Sequence, residues 1–119
     1  MNRADYIKEL EKFTVDTKKV EIIEKKYNTS LSEVVKKIVS NSEESVFFDD
    51  DYRILSFAEI EDAESDLHVN FAEKGIIPIA DCGENDFIVY HYNDDFWSKF
   101  NIIDDTVFKK QKSLEDFLK

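Results

Sequence analysis

Two glycines, one proline, two histidines and a single cysteine are all that 119 residues hold of these types, and each shortage excludes something. Cys82 has no second thiol in the chain, so no internal disulfide forms. One cysteine and two separated histidines, His68 and His91, do not supply the closely spaced ligands of a zinc site. Gly75 and Gly83 are too few for a phosphate-cradling loop. Long apolar runs are missing too: residues 75–80 are interrupted by Pro78 and fall far short of the roughly 20 residues that span a bilayer. Residues 1–10 carry a charge every two or three positions and lack the apolar core of an export signal, so a cytoplasmic protein with no membrane contact is expected.

Apolar residues make up 42% of the chain, ten of them phenylalanine, and charged residues 36%. That much apolar material suits one folded domain over residues 1–119 and does not fit a disordered chain. Sixteen basic residues stand against twenty-seven acidic ones, a net charge of −11. The excess is localised. Residues 1–40 hold nine Lys/Arg and seven Asp/Glu, residues 96–119 five and four, but residues 41–95 hold sixteen acids with only Arg53 and Lys74. A field of that sign repels phosphate backbones, so direct nucleic-acid binding is not expected, and it speeds encounter with cationic partners.

Tyr6, Ile7, Leu10 and Phe13 recur at helical spacing, and Val20, Ile22, Ile23 and Tyr27 form a second stripe. Ser30-Leu-Ser-Glu33 has the form of a capping box and predicts a third helix starting there, with Leu31, Val34, Val35, Ile38 and Val39 facing inward. The run Tyr52-Arg-Ile-Leu55 reads as a strand. Ser56-Phe-Ala-Glu59 is a second capping box, opening a helix with Phe57 and Ile60 inward and Glu59, Glu61, Asp62 and Glu64 outward. Residues 65–74 fit either a strand or a helical turn. Residues 75–80 read as a strand that Pro78 places near an edge or a strand start, residues 81–86 as a turn, and Phe87-Ile-Val-Tyr-His-Tyr92 as the most strand-like run in the chain. Residues 96–102 and 106–110 are further strand candidates, and Ser113-Leu-Glu-Asp116 caps a short final helix. Helices followed by hairpins make an α+β domain.

Catalytic chemistry finds little support. No nucleophile motif surrounds either histidine, and Asp81 beside Cys82 raises the thiol pKa rather than lowering it. His91, between Tyr90 and Tyr92 in a strand, faces away from both and reads as a packing or surface residue. Asp49-Asp50-Asp51 and Asn93-Asp94-Asp95 are oxygen-rich, yet neither has the alternating ligands and central glycine of a calcium loop. No catalytic residue, metal or cofactor is assigned, and the chain reads as a binding protein rather than an enzyme.

The ordered landmarks Ile23-Glu-Lys-Lys-Tyr27 with Leu31, Arg53-Ile-Leu-Ser-Phe-Ala-Glu-Ile60, Ile77-Pro-Ile-Ala-Asp81, Gly83, Asp86-Phe-Ile-Val-Tyr90 and Ser113-Leu-Glu-Asp-Phe-Leu118 resemble the SUKH superfamily over residues 20–118. Its members include many bacterial immunity proteins and a yeast cell-wall regulator. Departures from the pattern fall at caps and turns: Leu31-Ser32 stands where many relatives have Leu-Pro, and Asn41-Ser42 where they often have Asn-Gly. The resemblance implies a twisted, mostly antiparallel sheet with the N-terminal and short C-terminal helices packed on one side. It also implies a non-catalytic protein that neutralises a cognate toxin, often a nuclease or other nucleic-acid-modifying enzyme delivered between competing bacteria. A SUKH-like module in a regulatory complex unrelated to toxins is the alternative.

Aromatics beside acids mark the candidate contacts with a basic toxin domain, since large rings anchor an interface and rim carboxylates steer it. On this reading the partner-binding residues are Asp49, Asp50, Asp51, Glu61, Asp62, Glu64, Tyr92, Asp94, Asp95 and Trp97, with Tyr92 and Trp97 at a wet boundary. Phe48, Phe87, Phe100, Phe108 and Phe117 are expected in the core. A monomer is the expected state.

Overall fold

The computed structural model describes residues 2–48 and 52–118. Three helices come first: α1 (Arg3–Lys12), α2 (Thr17–Tyr27) and α3 (Glu33–Ser40). Side-chain oxygens start the first two. Asn2 accepts from the N–H of Asp5 at 2.8 Å, and Asp16 from that of Lys18 at 3.1 Å. α2 ends where Asn28 turns into left-handed backbone at φ 51°.

The third helix corrects the sequence reading. Its N-cap is Ser32 rather than Ser30, and no side chain closes a box there. Just before it, the Glu24 carboxylate of α2 accepts the Leu31 N–H at 2.8 Å, so a neighbouring helix fixes the chain at the entry to α3. Val35, Ile38 and Val39 are buried, whereas Val34 is 43% exposed. At about 100° per residue Val34 lies roughly 90° from the centre of that stripe, at its margin.

The remainder runs as two short strands, two helices, four strands and a last helix: β1 (Val46–Phe47), β2 (Arg53–Ile54), α4 (Phe57–Leu67), α5 (Phe71–Lys74), β3 (Ile76–Gly83), β4 (Asp86–His91), β5 (Phe96–Asn101), β6 (Thr106–Gln111) and α6 (Glu115–Leu118). The strands form one open antiparallel sheet in the order β1-β2-β3-β4-β5-β6, giving an α+β fold with helices beside a twisted sheet. The undecided stretch 65–74 is helical at both ends and holds no strand: α4 runs on to Leu67, and α5 follows after a break at 68–70. Gly75 ends α5 at φ +73°, where a Cβ would lie 2.9 Å from Asn93 Nδ2. Both the backbone and the space there favour glycine.

Register explains why residues 87–90 are continuously apolar. Pairing of Tyr90 with Trp97 and Ile88 with Lys99 sets these on one face; Phe87 with Phe100 and Val89 with Ser98 occupy the other. Residues of α1 and α6 gather around Trp97 on the first face, and Phe71 of α5 meets Phe100 at 6.2 Å on the second. A strand covered on both sides has no polar position to alternate.

Three smaller expectations change. β3 is an interior strand, but the two-residue β2 pairs only with Ala80 and Asp81 and leaves Pro78 outside that ladder. The 81–86 turn contracts to Glu84 and Asn85, both at positive φ, joining β3 and β4 by a two-residue hairpin. Phe108 is half-buried rather than core, because β6 is the edge strand with a neighbour on one side only. No helix among the described residues is long and apolar enough to cross a membrane.

Candidate interaction surface

Some acids of the 41–95 stretch are engaged inside the fold. Glu59 closes the Ser56 capping box: Ser56 Oγ accepts from the Glu59 N–H at 3.2 Å, and Glu59 Oε1 accepts the Ser56 N–H at 3.0 Å. The same carboxylate receives Arg53 at 2.8 Å and the Ser45 hydroxyl, while the other arm of Arg53 reaches Asp81 at 3.3 Å. Burial alone would raise the Glu59 pKa. The hydrogen bonds from Ser45, Ser56 and Arg53, with the Arg53 charge, outweigh it and hold the carboxyl below its ordinary value. Lys74, the other cation of the stretch, pairs with Asp105 at 2.7 Å, an acid outside it. Both local cations are therefore already committed.

Among the expected contact residues, Glu61 is half-buried and Asp62 exposed on α4. Glu64 and Tyr92 are brought together through Ala72, whose N–H donates to Glu64 Oε2 at 3.0 Å and whose carbonyl accepts the Tyr92 hydroxyl at 2.9 Å. The Tyr27 ring stands edge-on to Tyr92 at 6.3 Å, and its buried hydroxyl has no hydrogen-bond partner. Burial, with the nearby Glu64 charge, pushes the Tyr27 pKa far up. Glu64 thus fastens α5 to α4 and Tyr92 fastens it to the end of β4, a structural duty the sequence did not disclose.

The β4–β5 turn presents Asp94 and Asp95 to solvent. Asp95 Oδ1 accepts the Tyr90 hydroxyl at 2.8 Å, at a residue whose φ is 53°. Trp97 departs from its expected wet boundary: it is 4% exposed, packed at 4.9 Å from the Tyr90 ring. Its pairing opposite Tyr90 on the helix-covered face accounts for the burial. Asp49, Asp50 and Asp51 lie outside the described residues.

The structure also assembles what sequence spacing could not. A groove of about 380 Å³ opens between α1, the start of α3, the β4–β5 turn and the C-terminal segment. Ile7, Leu10, Val34, Trp97, Leu114 and Leu118 line it, with acids at the mouth. A second apolar feature is Phe47, 66% exposed beside the exposed Glu43 and Glu44. The sequence gives no local sign of the groove, since Val34 reads as inward-facing, whereas Phe47 stands with Phe48 ahead of the acidic run 49–51 as one of the aromatics beside acids.

The remaining reactive groups are quiet. Burial pushes the Cys82 thiol up to about 11, so little thiolate exists near neutral pH. His91 stacks on Phe96 at 3.9 Å and shares a 2.7 Å hydrogen bond with Ser98; burial and Lys110 lower its pKa. No group of three or more His, Cys, Asp or Glu suited to a metal ion occurs among the described residues. Residues 14–119 match the profile of the SMI1 / KNR4 family (SUKH-1). No curated protein matches the chain.

Proposed function

Starting from the chain's membership of the SMI1 / KNR4 family (SUKH-1), we propose that it is a cytoplasmic immunity protein that binds and neutralises a basic bacterial toxin domain, a nuclease or other nucleic-acid-modifying enzyme. Domains of this family are immunity or regulatory modules rather than enzymes, and membership fits a toxin-immunity role. The observation that carries the basic partner is the charge of residues 41–95. Sixteen acids share a stretch with two cations, of which Arg53 spans two carboxylates and Lys74 is held by Asp105. A surface of that sign resembles the electrostatics of a nucleic-acid substrate and steers a cationic groove toward itself.

The outward acids Asp62, Asp94 and Asp95 are the contacts we assign to steering, with Asp49, Asp50, Asp51 and Glu61 extending the field. Glu64 and Tyr92 act from behind, by holding the α5 region in place. The test is capture with the tagged full chain from its host, read by mass spectrometry in low and moderate salt, followed by adding the purified chain back to the captured protein. Recovery of a basic enzyme whose activity is suppressed stoichiometrically supports the proposal. Recovery only of resident regulatory or envelope proteins, with no inhibited activity, overturns it in favour of a regulatory module.

A further inference from the structure

Four acids frame the apolar groove: Glu11 on α1, Glu33 at the first turn of α3, Asp95 in the β4–β5 turn and Glu115 on α6. All four are exposed. Three of them come from the flanking regions, which are net positive in sequence, so folding concentrates acid at a place where composition predicts none. Among the described residues Lys112 is the one cation lining the groove, and Glu33 keeps an exposed contact to Lys36 at 3.6 Å, a pairing worth little in water. Of the groove's apolar lining, Val34 is 43% exposed and Ile7 and Leu10 are half-buried. Apolar surface left wet in this way gains free energy when a partner covers it.

We propose that this groove is the docking site for one segment of a protein partner, a large apolar side chain flanked on both sides by lysine or arginine. The apolar residue fills the space against Val34, Ile7 and Leu10; its cationic neighbours reach the carboxylates of Glu11, Glu33, Asp95 and Glu115. A second copy of the chain is a poor occupant, because net charge −11 and an acidic rim would oppose like to like. The groove sits apart from the outward acids of α4, so it supplies short-range anchoring where those acids supply long-range steering. That the segment belongs to a toxin rests on the immunity reading; the groove's preference for its chemistry does not.

The probe is a labelled amphipathic peptide of about 14 residues built from lysine and leucine, compared with forms in which every leucine is serine or every lysine is glutamate. Affinity is read by fluorescence anisotropy, location by amide chemical-shift mapping of the full chain. The expected result is binding that shifts amides around Leu10, Val34 and Leu114, weakens about tenfold with the serine form, and disappears with the glutamate form. Val34→Lys, a surface change, should cost about tenfold, whereas Glu43→Lys with Glu44→Lys should cost less than about twofold. Binding that maps to residues 43–47 or 61–64 and ignores Val34→Lys overturns the groove while leaving the acidic-surface reading intact. Equal binding of the lysine and glutamate peptides, or none of the lysine peptide at low salt, overturns the groove together with the electrostatic basis of the proposed function.

Discussion

Glu59 and Asp62 sit three residues apart on one helix and belong to the same acidic stretch, yet they do opposite work. Glu59 is surrounded by donors: a backbone N–H, a serine hydroxyl and a guanidinium that also grips Asp81. Asp62 faces water, as does Asp94 in the β4–β5 turn. Acids of the first kind tie the α4 N-terminus to β2 and β3. Acids of the second kind contribute little to the fold and are free to create a field. A count of carboxylates merges the two kinds, and only their donors separate them.

Substitutions can break that division at either end. Glu59→Ala should cost about 2 kcal/mol, by loss of the cap and of charge-assisted hydrogen bonds, lowering the melting temperature by roughly 8 °C. A melt unchanged within error would mean that Glu59 belongs with the outward acids. Ala in place of Gly75 should cost about 1 kcal/mol or more, since it meets both a positive φ and the Asn93 side chain; circular dichroism melts would check this in the same series.

Acid should expose the inward set selectively. Because the folded-state pKa of Glu59 is depressed, the unfolded chain takes up the proton first. The stability it contributes is present above the unfolded value of 4.5 and is lost as pH falls through the lower folded value. Glu59→Gln should therefore flatten the fall of denaturation free energy below that pH, and an unaltered slope would contradict the assignment. Tyr27→Phe should change stability by only a few tenths of a kcal/mol, in either direction, because it removes a hydroxyl without a partner. The smallest effect on the fold is expected from Asp62→Lys with Asp94→Lys, whose melting temperature should stay within about 2 °C of the parent.

The same contrast explains how far the sequence could be read. The Ser56 box was legible because donor and acceptor lie within four residues, and β4 was legible because a strand covered on both faces must be apolar throughout. The Ser30 box failed because α3 starts two residues later, with Ser32 as its N-cap, and the preceding Leu31 N–H is held by Glu24 of another helix. Phe108 was expected in the core because nothing local marks β6 as the edge, and Trp97 was expected at a boundary because its burial depends on pairing opposite Tyr90. Glu64 reads as one more outward helical acid until α5 brings the Ala72 N–H to it. Glu11, Glu33 and Glu115 carry no local signal at all: they meet only when α1, α3 and α6 close around one groove.

The most direct test of the account measures the association rate between this chain and the protein that capture recovers over a range of ionic strength, for the parent and for Asp62→Lys with Asp94→Lys. Steering by the outward acids predicts a parent rate that falls steeply with added salt while dissociation barely changes, and a variant about tenfold slower at low salt with a flatter dependence. A parent association rate indifferent to salt, or a variant as fast as the parent, would contradict the account.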